Sequence, residues 1–110
     1  MKLWIDDVRP APDGYEWCKS VNQAINAITW FLMVKWTLEG HNEPFEDEIE
    51  IIDIDHDAGE YVNNGGDYIK LLDWLEEMGH DLPIHIHSAN PVGVENMRRI
   101  IQRNGWTEVK

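Results

Sequence analysis

The stretch EIEIIDIDHDAG, residues 48–59, decides the fold. Its apolar run, IEIIDID over 49–55, reads as a strand. That strand ends in polar chemistry: Asp53, Asp55, His56 and Asp57 stand directly before Ala58-Gly59. Burying three carboxylates and an imidazole is costly unless positive or hydrogen-bonding groups meet them. A core strand that finishes this way points to a site at its carboxyl end.

Working outward, strand and helix patterns alternate. KLWID, 2–6, is a short first strand running into Asp6-Asp7. VRPAPDG, 8–14, is a proline- and glycine-bearing loop that leaves no room for a helix. YEWCKS, 15–20, is a second strand. From Val21 to Glu39, Val21, Ala24, Ile25, Ile28, Phe31, Leu32 and Trp36 recur at spacings of three and four, the signature of a helix. Ser20 is its candidate N-cap and Gly40 the residue past its end. HNEPFEDE, 41–48, is a polar connection. After the central strand, HDAGEYVNNGGD is a loop; Tyr68, Leu71, Leu72, Leu75 and Met78 then mark a helix closed by Gly79. PIHIHSA, 83–89, is a fourth strand. Asn90-Pro91 opens a last helix as N-cap and first turn, and Asn104-Gly105 ends it. WTEVK, 106–110, is a fifth strand.

Strands separated by helices pair in parallel through right-handed crossovers. The expectation is a single α/β domain over 1–110, three-layered and doubly wound like flavodoxin, with a five-stranded parallel sheet in the order 2-1-3-4-5. The helix between its first two strands is missing. In such sheets ligand chemistry collects beyond the carboxyl ends of the strands. Here the first strand ends in Asp6-Asp7, the third in Asp55-His56-Asp57 and the fourth in His87-Ser88.

Composition bounds the setting. The 110 residues, 43% apolar, suffice for one core. No apolar run approaches the roughly 18 residues of a membrane span. MKLWIDD lacks a signal peptide's apolar segment, and Cys18 is alone, so a cytoplasmic location without a disulfide framework is expected. A net charge of −12 argues against an extended grip on nucleic acid. It leaves room for a small phosphate-bearing ligand held through a cation.

The strand-end motifs resemble the response-regulator receiver domain. IDDV ends the first strand, an Asp ends the third and a Ser ends the fourth. DDVRP (6–10), DHDAG (55–59), HSANPVG (87–93) and ENM (95–97) are similar still more closely to the cyclic-phosphate processing receiver-like family. That resemblance implies a role in handling cyclic phosphates of nucleotides or RNA ends. It also implies Asp6, Asp7 and Asp55 as ligands of a divalent metal and Ser88 as a phosphate contact. A receiver's fifth strand ends in Lys-Pro, whereas here Lys110 is the last residue.

The chemistry of the residues fits that reading. Mg²⁺ and Mn²⁺ take hard oxygen ligands, which Asp6, Asp7 and Asp55 supply; the alternative is that Asp6 or Asp7 only caps its loop. His56 and His87 are candidate general acid and base, with Asp55 beside them and Asp57 orienting His56 or serving as an outer ligand. Arg9 suits either bidentate phosphate binding or a surface salt bridge. Asn90 caps a helix N-terminus that contacts anions. Asn96 is raised by the family motif alone. Gly65 and Gly66 either let a loop close over ligand or form a turn. His85 reads as a core residue, and a zinc site from His56, His85 and His87 lacks a known spacing. Asp53 has no assigned role. Trp30 and Phe31 cannot both face the core with Ile28 and Leu32, so exposed aromatic surface and a homodimer through the long helix are expected.

Three functions compete: metal-dependent phosphoesterase, phosphoacceptor signalling module with Asp55 as acceptor, and non-catalytic nucleotide-phosphate binder. The two histidines favour the first over the second, and nothing in the sequence separates the first from the third.

Overall fold

The computed structural model describes residues 1–40 and 48–110, with backbone alone over 35–40. The 41–47 part of the predicted polar connection, and the Trp36 side chain, lie outside the described residues. Among the described residues four strands are present: β1 (Lys2–Ile5), β2 (Tyr15–Cys18), β3 (Ile51–Ile54) and β4 (Ile84–Ile86). Three helices follow the predicted pattern: α1 (Val21–Gly40), α2 (Ile69–Met78) and α3 (Pro91–Asn104). A 3-10 turn covers Gly59–Tyr61, inside the predicted loop.

The helix ends follow their cap chemistry. Ser20 Oγ accepts from Gln23 N (3.0 Å) while Gln23 Oε1 accepts from Lys19 N (2.9 Å), a reciprocal cap at the start of α1. Asn90 Oδ1 accepts from Gly93 N at 3.0 Å, with Pro91 in the first turn of α3. Gly79 and Gly105 close α2 and α3 in the left-handed conformation.

All strand pairs are parallel, in the order β2-β1-β3-β4. The expected fifth strand is reduced to one rung, a bridge between Glu108 and Ile84. Ile84 N donates to Thr107 O and Val109 N to Ile84 O. β4 is only three residues long, and Thr107, Val109 and Lys110 are exposed, so no ladder extends from that rung.

The three-layer arrangement also gives way. From β2 to β3, from β3 to β4, and from β4 to the Glu108 rung, the chain steps across the sheet in one direction. Right-handed crossovers therefore set all three helices on one face. Burial agrees. Leu3, Ile5, Ile52, Ile54 and Ile84 are fully buried in one core with Leu71, Leu72, Leu75 and Met97. The alternate residues Lys2, Trp4, Tyr15, Trp17 and Ile51 are exposed or half-buried. The opposite face carries no helix among the described residues, because the β1–β2 connection is a loop, as expected. Two indoles peg that loop: Trp4 Nε1 donates to Arg9 O (2.8 Å) and Trp17 Nε1 to Asp6 O (2.7 Å).

On α1, Phe31 is buried and Trp30 is 66% exposed, so the pair divides between core and surface. No helix of the described residues is long and apolar enough to cross a membrane.

Candidate functional site

The sheet register creates the site. Ile5 stands beside Ile54 on adjacent parallel strands, so the next residues, Asp6 and Asp55, emerge together at the carboxyl edge. Asp55 N donates to Ile5 O at 2.9 Å. Both carboxylates are buried, at 0% and 8% exposure. Asp7 joins them, and one ligand oxygen from each of the three lies within 4.8 Å of the others. Burial, then the negative charges of Asp6 and Asp55, push the Asp7 carboxyl above its ordinary range. Gly59, at φ +55°, leaves space for Asp7: a Cβ there would overlap Asp7 Oδ2.

Asp6 is the most constrained member. Its Oδ1 accepts from Val8 N and Arg9 N, both at 2.9 Å, so it does cap its loop. Its Oδ2 faces His87 Nε2 at 2.9 Å and Arg9 Nε at 3.5 Å. Burial would raise its pKa, but these backbone and histidine hydrogen bonds outweigh it and hold it below the usual range. Arg9 is the local cation: Nη2 lies 3.9 Å from Asp55 Oδ2, and Nη1 donates to His87 O at 3.2 Å.

His87 is held on three sides. Nε2 meets Asp6, Nδ1 meets Asp53 Oδ1 at 2.5 Å, and the ring lies flat against Trp4. Carboxylates accept, so both ring nitrogens donate, the pattern of the imidazolium. Burial would lower the His87 pKa, but the two carboxylates raise it above the ordinary value. Asp53, which sequence reasoning left without a role, is thus part of the site. Its signal was strand parity with Asp55 and His87, which sets all three on one side of the sheet.

His56 lies elsewhere. Its Nδ1 donates to Asp57 Oδ1 at 2.8 Å, and its ring packs against Gly93 in the first turn of α3, where a Cβ would collide with it. Asn90 Nδ2 donates to Asp57 at 3.3 and 3.4 Å. The His56 hydrogen bond, together with Asn90, holds Asp57 below its ordinary range despite burial. Among the described residues Nε2 of His56 has no hydrogen-bond partner, and no unsatisfied side-chain polar atom is buried, so Nε2 reaches solvent. The structure therefore separates the two imidazoles into different carboxylate networks. His85 contacts Val109 O through Nδ1 (2.8 Å), and no three-histidine grouping forms among the described residues.

The remaining expected contacts divide. Ser88 Oγ accepts from Asn90 N at 3.1 Å, at the start of α3. Asn96 is exposed on α3, and no contact ties it to the acidic trio among the described residues. Gly65 and Gly66 lie in the turn before α2. At φ +115°, Gly65 packs against Val21 and Asn22, and Asn22 N donates to Asn64 O. The loop docks on α1. Lys110 pairs with Glu108 at 3.1 Å, not with the trio.

The donor set fits a hard divalent cation: three carboxylates converge, and burial, with the charges of Asp6 and Asp55 behind it, raises the Asp7 pKa. A parallel α/β sheet with an acidic trio at its carboxyl edge defines a receiver-like domain. The chain belongs to the cyclic-phosphate processing receiver domain family, whose model matches residues 1–103. No curated protein and no solved structure matches the chain.

Proposed function

We propose that the protein is a metal-dependent phosphoesterase that opens cyclic phosphates of nucleotides or RNA ends. The convergence of Asp6, Asp7 and Asp55 within 4.8 Å, in a chain of this family, carries the reading. These three residues would hold Mg²⁺ or Mn²⁺. When bound, the ion polarises a phosphoryl oxygen as a Lewis acid. Asp6 is fixed in place by its backbone and His87 hydrogen bonds, so it contributes a set charge, while Asp7 and Asp55 keep oxygens for the cation.

His56 is the proton carrier on this reading. Asp57 orients it through Nδ1 and leaves Nε2 open. Nε2 takes a proton from water as the water oxygen bonds to phosphorus. It returns that proton to the ester oxygen as the ring P–O bond breaks. His87, with both nitrogens engaged, holds Asp6. Arg9, Ser88 and the α3 N-terminus capped by Asn90 supply donors to the phosphate.

The test is incubation with a panel of cyclic mononucleotides and an RNA ending in a cyclic phosphate, with Mg²⁺ or Mn²⁺ and products read by mass spectrometry. Ring opening that requires metal and vanishes in Asp55→Asn is expected. No product from any substrate under metal-saturated conditions would overturn the reading.

A second reading, phosphoryl transfer to Asp55, is favoured by one observation. Asp55 Oδ2 is met by Arg9 only at 3.9 Å. Labelling by acetyl phosphate that is indifferent to His56→Ala would support it.

A further inference from the structure

Asp53 is a buried carboxylate that the proposed chemistry does not use. It sits at 8% exposure on the helix-free face, one pleat below Asp55. Among the described residues its side-chain partner is His87 Nδ1, and the opposite nitrogen of the same ring meets Asp6. Asp53, His87 and Asp6 therefore form a line of hydrogen bonds across β3, β4 and β1. Trp4 stacks on the middle ring, which removes rotation about that line as a freedom.

We infer that Asp53 is a positioning residue: acting through His87, it fixes the Asp6 carboxylate and so sets the affinity of the cation site. The inference rests on the cation reading of the trio. The physical logic is that of outer partners in metal centres. A ligand held by a hydrogen bond loses less freedom when the ion arrives, and deleting the outer partner typically weakens binding about 10–100-fold. Asp6 receives two backbone donors on one oxygen and His87 on the other. The His87 contact is the closer of its side-chain contacts, Arg9 Nε standing at 3.5 Å, and Asp53 and Trp4 hold that ring in turn.

The experiment is calorimetric titration of Mn²⁺ into the wild type, Asp53→Ala, His87→Gln, the double variant and Asp55→Asn. Each single variant at 53 and 87 is expected to weaken binding at least tenfold. The double variant should bind no more weakly than His87→Gln alone, because Asp53 acts only through that ring. A purely structural Asp53 would give additive losses, which overturns the inference. So does wild-type affinity in Asp53→Ala while Asp55→Asn loses binding; the cation reading then stands. No binding by the wild type overturns both. Should the variants fail to fold, the wild type still decides. Mg²⁺ titration should shift the His87 ring ¹⁵N resonances saturably, and unmoved resonances in a protein that binds metal overturn the inference.

Discussion

The imidazole of His87 lies flat on the indole of Trp4, with centroids 3.9 Å apart and planes 6° from parallel. The same indole donates to Arg9 O and meets Tyr15 edge-on, so one side chain floors the histidine and pegs the β1–β2 loop. Trp4→Ala should therefore cost ~3 kcal/mol, the lower end for a Trp truncation because Trp4 is half-buried. Urea unfolding measures it, and a loss below about 1 kcal/mol would mean the loop holds without its peg.

Divalent metal should stabilise the protein. A cation that binds only the native state adds RT ln(1 + [L]/Kd), about 2.7 kcal/mol at a hundredfold excess over Kd. Thermal melts in Mg²⁺ or Mn²⁺ should shift upward, and Asp55→Asn should abolish the shift. Identical melts with metal and with chelator would remove the cation from the account.

Gly59→Ala should damage metal binding more than its size suggests. The added Cβ overlaps Asp7 Oδ2 and sits at φ +55°. Gly93→Ala, by contrast, strikes the His56 ring. Overpacking of this kind costs about 1–3 kcal/mol. Gly59→Ala is expected to lose Mn²⁺ affinity, and Gly93→Ala to lose turnover with affinity retained. The opposite pattern would reverse the roles given to Asp7 and His56.

Stability should fall at both pH extremes around the Asp6–His87 pair. His87 has a raised folded-state pKa, so its contribution is complete below about 6.5 and is lost as pH rises through the folded value. Asp6 has a lowered one, so its contribution is present above about 3.8 and is lost as pH falls through the folded value. Urea unfolding across pH should show the alkaline decline flattened in His87→Gln. An unaltered profile in that variant would contradict the assignment.

Cys18 is 1% exposed, and burial followed by the Glu16 charge pushes its thiol up to about 12. The native protein should resist a disulfide reagent at pH 8 and react stoichiometrically in urea. Rapid native labelling would show that β2 opens readily.

Local chemistry made much of this molecule legible. Asn90-Pro91, Ser20 and Gly105 placed helix ends because caps are written in single residues. The strand ends at Asp6 and Asp55 were legible for the same reason: parallel sheets gather their polar groups at one edge. What sequence did not show was cross-strand partnership. Asp53 and His87 are 34 positions apart, and only the β3–β4 register brings them together. Pleat parity also sends His56 and His87 to opposite sides of the sheet, which two histidines beside two site motifs did not reveal. The fifth strand failed because five residues of strand-like composition found a three-residue edge to pair with.

The sheet order has a consequence for how the chain comes together during synthesis. β1 is made first yet occupies the middle, and its inner neighbour β3 begins only at residue 51. Asp6 then waits 81 positions for His87. Such distant closures are slow compared with helix formation. The Asp6–His87 clasp is therefore among the last features a nascent chain completes, and a partly emerged chain carries the acidic trio without it.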